Sequence, residues 1–273
     1  MIQTNALSFR YPGHRKTIFS SLTLSITPGY IYGLLGQNGV GKSTLFRLIA
    51  GINKPSEGSI QTLGYTPFDR NPEMLREIFL IPEDMTMPPV NILQYANLYG
   101  TFYPRFDWNE LEQLLKKLDV PPDQKLSTMS LGQRKKAMIA FALACQTKIL
   151  LMDEPTNGLD ISSKRVFRDV LYRTRADDRL IIISTHQVRD LEQLIHAVII
   201  VHEKSIILKD TVQNLLAHYH FGPISHGENP MYFEMAGDQK VGVLPLAPGD
   251  KEDTQIDLEL LFNAAISGAF PYA

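Results

Sequence analysis

Short, continuous runs of apolar and β-branched residues recur at 31–35, 78–81, 149–152, 180–184 and 197–201, separated by segments that read as helices. Strands that are apolar at every position, rather than at alternate ones, are covered on both faces, as in parallel sheets flanked by helices. The pattern predicts an α/β core with a mostly parallel sheet. Between about residues 88 and 146 the strand signals stop. There Trp108, Leu111, Leu114, Leu115 and Leu118 fall on one helical face, behind an Asp107-x-x-Glu110 start that has the form of a capping box. A helical lobe over 88–146 is expected, inserted into a core formed by 1–87 and 147–218. From about His220 the pattern weakens, and Gly222-Pro223, Asn229-Pro230 and residues 245–249 mark turns before an amphipathic stretch at 256–265. Residues 219–273 are expected to form a small strand-and-helix appendage.

Composition narrows the classes. With 44% hydrophobic and 21% charged residues and a net charge of -2 over 273 positions, the chain has the balance of a globular protein and no polyanion-binding excess. Nucleic acid is therefore not an expected partner. The single cysteine, Cys145, excludes an internal disulfide framework and fits a reducing compartment. The first residues lack a basic segment and apolar stretch, and no apolar run approaches the roughly 20 residues that span a bilayer, so a membrane role requires a partner.

The chemistry begins at Gly36-Gln37-Asn38-Gly39-Val40-Gly41-Lys42-Ser43-Thr44, which matches G-x-x-x-x-G-K-[ST] between an apolar strand and a helical run. Glycines let the backbone curl so that successive N–H groups face phosphate oxygens, and the helix that follows adds its positive end. Lys42 is read as the contact to the β- and γ-phosphates of ATP and the Ser43 hydroxyl as a Mg2+ ligand. A second apolar run, 149–152, ends in Asp153-Glu154. Asp153 at a strand end suits magnesium held largely through water, and Glu154 beside it suits orientation of an attacking water. His218, His220 and His226 cluster in the tail, but without cysteine or an acidic partner at ligand spacing they do not suggest a metal site.

Leu126-Ser127-Thr128-Met129-Ser130-Leu131-Gly132-Gln133-Arg134 resembles the signature of ABC ATPases, with Ser130, Gly132 and Gln133 matching and Leu131 where a second glycine is common. The resemblance spans roughly residues 1–215 and continues through Gly158-Leu159-Asp160, His186 and an early aromatic, Tyr11. It implies an ATP-hydrolysing P-loop fold and the nucleotide-binding subunit of a membrane transporter. In such proteins the Ser130 helix faces the γ-phosphate held by a second subunit, same or paralogous. His186 contacts the γ-phosphate, Tyr11 stacks on adenine, and Asp160 belongs to the nucleotide site. A separate membrane-spanning permease would seat the chain on the inner face of the cell membrane. Ser130-x-x-Gln133 is also a capping box, which is compatible because a helix start with free N–H groups binds phosphate. Lys135-Lys136 reads as the solvated or phosphate-facing side of that helix. Glu83 stands where the family usually has glutamine, and is either a further magnesium ligand or part of the hinge to the lobe. Tyr103-Pro104-Arg105-Phe106-Asp107-Trp108 resembles a segment of bacterial drug and lantibiotic exporters, which implies export. The alternative is a soluble ABC ATPase of the ribosomal or chromosomal kind, but neither a second cassette nor a long heptad insertion is present.

Overall fold

The structure is a computed structural model that describes residues 1–225, 227–247 and 255–270. His226 and the turn at 248–249 lie outside the described residues. Strands β1 (Ile2–Arg10) and β2 (Thr17–Ile26) open the chain, followed by β3 (Ile31–Leu35), helix α1 (Lys42–Ile49) and β4 (Glu57–Thr62). Then come α2 (Pro72–Leu75), β5 (Ile78–Ile81), α3 (Ile92–Tyr99), α4 (Trp108–Lys117) and α5 (Leu131–Ala144). The core resumes with β6 (Ile149–Asp153), α6 (Ile161–Arg173), β7 (Leu180–Thr185), β8 (Ala197–His202), β9 (Ser205–Thr211) and α7 (Val212–His218). The described tail holds β10 (Tyr219–Pro223), β11 (Tyr232–Ala236), β12 (Gln239–Pro245) and α8 (Leu258–Ile266).

Six strands form the central sheet in the order β5-β6-β7-β3-β8-β9. Neighbours are parallel except β8 and β9. Every residue of β3, β6 and β7 is buried, which is why these strands read as unbroken apolar runs. All five predicted strands are present. A second sheet, β2-β1-β4, is antiparallel and has no counterpart in the sequence reading. Its strands bury one face only, and shifts of register at residues 4–10 blur the alternation that would have marked them. Helix α1 packs between the two sheets, with Leu45, Phe46, Leu48 and Ile49 in one apolar cluster with residues of both.

The helical segment packs through α5, which is buried from Lys135 to Ala144. Phe141 centres an aromatic cluster with Tyr95 of α3 at 5.0 Å, Phe106 at 5.4 Å and Phe79 of β5 at 5.6 Å between ring centroids. Asp107 caps α4 by accepting from Glu110 N–H at 3.1 Å. Leu111, Leu114, Leu115 and Leu118 are buried as expected, but Trp108 is 44% exposed. It occupies the first position of α4, so its ring leans over the preceding segment and meets Phe106 edge-on rather than the core.

The tail builds a three-stranded antiparallel sheet, β10-β12-β11, and α8, and Phe221, Val243, Leu258 and Leu261 join the main core. Two polar links tie α8 to the segment after β7. Glu192 Oε1 accepts from Leu258 N–H at 3.2 Å, and Arg189 Nε lies 2.7 Å from Glu259 Oε2. Among the described residues no helix is long and apolar enough to cross a membrane.

Phe141→Ala should remove a fully buried ring shared by the strand and helical segments, and is expected to cost about 3–5 kcal/mol of stability. Trp108→Ala, at a half-exposed position, should cost about 1 kcal/mol or less. Urea unfolding of both variants checks the contrast.

Candidate functional site

The P-loop follows β3 and delivers Lys42 and Ser43 as the first residues of α1. Gly41 caps that helix at φ +118°, and a Cβ there would stand 2.7 Å from Ile18 Cγ2 and 2.8 Å from Phe19 Cζ. Only glycine fits both the conformation and the space. No side chain caps α1, so its first N–H groups are open to an anion. Lys42 is 6% exposed and donates to the carbonyl of Gly36 at 2.7 Å. Burial pushes its ammonium below the usual value, while Glu154, Asp153 and Glu83 pull it back up.

Strand β6 is paired with β7, so Asp153 lies opposite Ser184. The Ser184 hydroxyl donates to Asp153 Oδ1 at 2.5 Å, and Ser184 Oγ accepts from Glu154 N–H at 3.1 Å. Glu154 follows the strand with φ +48°, a conformation rare for a residue with a long side chain. Its Oε1 lies 2.9 Å from His186 Nδ1 and 3.7 Å from Lys42 Nζ. Its Oε2 is buried without a hydrogen-bond partner among the described residues. A buried carboxylate oxygen without a donor is costly and calls for a ligand, cation or water.

These groups line one cavity of about 460 Å³, walled by Tyr11, Ile18, Asn38, Gly39, Gly41, Lys42, Ser43, Thr44, Glu83, Asp153, Glu154 and His186. Tyr11 packs edge-on against Phe9 at 4.9 Å and shares a hydrogen bond with Thr44 Oγ1 at 3.0 Å, so the ring is held at the cavity wall. Gly36 and Gln37 line a neighbouring cavity of about 620 Å³ between the P-loop, His186 and α8. Val40 packs into the apolar cluster beneath the loop. Ser43, Asp153, Glu83 and Glu154 offer hard oxygen donors suited to magnesium. Among the described residues no three His, Cys, Asp or Glu side chains converge on a metal position. The set fits a cation that takes much of its shell from phosphate and water.

Other expected residues are not in this cavity. Ser130 caps α5 in a reciprocal capping box, its Oγ accepting from Gln133 N–H at 3.2 Å while Gln133 Oε1 accepts from Ser130 N–H at 3.0 Å. The capping box is formed, and the helix start lies at the surface outside the cavity lining. Gly132 approaches Gly158 so closely that a Cβ would stand 2.5 Å from its carbonyl oxygen. Asp160 does not reach the cavity. It caps α6, accepting from Ser163 N–H at 2.7 Å and from the Ser162 hydroxyl at 2.5 Å. The hydroxyls of Ser162 and Ser163 and the Ser163 amide hold its carboxyl well below the usual range.

Lys135 and Lys136 depart most from expectation. They are 1% and 9% exposed, not solvated, because α5 is buried from Lys135 to Ala144 and its lysines must find acceptors inside. Lys135 Nζ reaches the carbonyl of Glu154 at 2.5 Å. A helix whose apolar residues do not keep to one face is the sequence signal that would have placed them inside.

A sequence profile described as ABC transporter matches residues 19–157. The chain belongs to the ABC transporter family. It is 32% identical over 216 residues to the bacitracin transport ATP-binding protein BcrA of Bacillus licheniformis, covering 76% of this chain and 68% of that one. It is 28% identical to the ABC transporter ATP-binding protein NatA of Bacillus subtilis, covering 79% and 91% of the two chains. Its fold matches an ATP-binding subunit of an ABC transporter with a TM-score of 0.71 at 24% identity, over 79% of this chain and 91% of that one. A dimeric ATP-binding cassette bound to ADP and Pi matches with a TM-score of 0.69 at 20% identity, over 77% and 98%. The family and fold implied by the motifs are therefore those of the protein: an ABC ATPase, the ATP-binding subunit of a transporter. Nothing in these similarities points to the ribosome or to DNA.

Ser184→Ala should leave Asp153 Oδ1 without its hydroxyl donor and is expected to cost about 1–3 kcal/mol. Chemical denaturation reads this loss directly. A stability equal to wild type would mean that water replaces the hydroxyl.

Proposed function

We propose that the 460 Å³ cavity binds ATP with magnesium and hydrolyses it in a head-to-tail pair of subunits, driving export through a membrane-spanning partner. The observation that carries this reading is the convergence of Lys42, Ser43, Asp153, Glu154 and His186 on one cavity, with Tyr11 at its wall. Open N–H groups of the P-loop and α1 receive the phosphates, and Lys42 adds a charge-assisted contact. Ser43 and Asp153 hold magnesium, which supplies neutralisation of the phosphate charge. Glu83 Oε1 accepts from Asn157 Nδ2 at 3.5 Å, and we assign Glu83 to the hinge rather than to the metal.

Glu154 polarises the attacking water. His186 and Lys42 both flank its Oε1, and Oε2 is the oxygen open to water. His186 stands between this carboxylate and the position of the γ-phosphate. Catalysis is then mainly positioning and electrostatics. The exposed start of α5, with Ser130, Gly132 and Gln133, serves the nucleotide of the second subunit, as does Asp160 next to the contact between subunits. The core over 1–87 and 147–218, the lobe over 88–146 and the tail over 219–273 divide this labour. Export, and a seat on the inner face of the cell membrane, are supported by the 103–108 segment and by the likeness to a bacitracin transport protein.

Glu154→Gln is expected to keep ATP binding and slow hydrolysis by about 10²–10⁴. The same variant should elute as a dimer with ATP and a monomer without it; an unchanged elution volume would count against the paired arrangement. Lys42→Ala should weaken ATP binding about tenfold or more, read by calorimetry. Glu83→Gln should leave the magnesium concentration for half-maximal turnover unchanged, whereas a raised requirement would return Glu83 to the metal.

A further inference from the structure

Lys135 is among the largest fully buried side chains of the protein. Burying an ammonium costs several kcal/mol unless charges and dipoles around it compensate. Its Nζ donates to a main-chain oxygen, the carbonyl of Glu154, at 2.5 Å. That carbonyl also accepts from Asn157 N–H at 3.3 Å, and the Asn157 side chain donates to Glu83 Oε1 at 3.5 Å. Lys135, the peptide after Glu154, Asn157 and Glu83 thus form a connected set across three segments: α5, the turn after β6 and the loop after β5.

The electrostatics run the same way. Burial pushes the Lys135 ammonium down, and Glu83 is the strongest of the carboxylates that pull it back, ahead of Glu154, Asp153 and Asp84. Lys42 is spent on the P-loop carbonyls and Glu154. A carboxylate at position 83 therefore adds negative charge to a crowded site that Lys42 alone does not balance. The mechanical consequence concerns Glu154, whose backbone is held at φ +48°. Its N–H is gripped from the Ser184 side and its carbonyl from the Lys135 side. A backbone conformation this unusual persists only where its surroundings over-determine it.

We propose that Lys135 is a positioning residue for hydrolysis: linked to Glu83 through the Glu154 carbonyl and Asn157, it ties the signature helix to the peptide of Glu154 and fixes where that carboxylate stands. The inference deepens the reading of Glu154 as the residue that polarises water, and rests on it. Lys135 is not among the residues that line the nucleotide cavity. It links the helix that meets the second subunit's nucleotide to the base at the chain's own.

The test is steady-state hydrolysis by the full chain, wild type against K135Q, E83Q, E83Q/K135Q and E154Q, with thermal melting of each. K135Q is expected to lower kcat about ten- to a hundredfold, as small misplacements of a catalytic group do. KM for ATP should stay within about twofold, because the phosphate contacts are untouched. E83Q alone should lower kcat through the unbalanced ammonium. E83Q/K135Q, which lacks the tie just as K135Q does, should show no further loss of kcat beyond that of K135Q, since residues in one network are not additive. Wild-type kcat in K135Q, a loss confined to KM, or additive effects in the double variant would overturn the proposal. If K135Q does not fold, E83Q and E83Q/K135Q carry the test, and wild-type kcat in E83Q overturns the pairing. Turnover in E154Q equal to wild type would instead overturn the reading of Glu154, so the two failures are distinguishable.

Discussion

The parallel pairing of β6, β7 and β3 is the constraint on which the site depends. In a parallel sheet all C-terminal strand ends lie at one edge, so the P-loop after β3, the carboxylates at the end of β6 and His186 after β7 emerge side by side. Register sets the details. Pairing Asp153 with Ser184 brings a hydroxyl to the carboxylate, and the same serine receives the next N–H, turning Glu154 back toward Lys42 and His186. A slip of one residue would send each of these side chains to the opposite face.

Such an edge gathers charge of one sign. Asp153 and Glu154 are each about 5% exposed or less, and Glu83 lines the same cavity. Buried carboxylates so close repel one another unless cations answer them. The protein answers with two lysines from opposite directions, one from the P-loop and one from the signature helix. Both are depressed by burial and both are sustained by the same acids.

Much of this was legible in the sequence because the central strands are buried on both faces and the phosphate loop has a fixed spacing. The five apolar runs are strands, and the motif residues from Asn38 to Thr44 gather at the cavity except Val40. What escaped did so for physical reasons. The antiparallel sheet β2-β1-β4 shows a weak alternation broken by bulges, so it carries no unbroken apolar run. Lys135 and Lys136 read as solvated or phosphate-facing because their charge outweighed the one local signal, apolar residues of α5 that do not keep to one face. Asp160 has a motif position, but its carboxylate is taken by its own serines within the chain.

The links between α8 and the segment after His186 bear on the order in which the molecule is made. Glu192 and Leu258 are 66 positions apart, and synthesis at about 5–20 residues per second separates their appearance by roughly 3–13 s. In that interval the P-loop, the β6 carboxylates and the histidine already exist, while Leu191, Leu194 and Glu192 lack the helix that covers them. A newborn chain therefore carries a nucleotide pocket before the segment after His186 is held in place by α8. ATP, abundant in the cell and able to bind that pocket, is available to act as a folding ligand before it serves as a fuel.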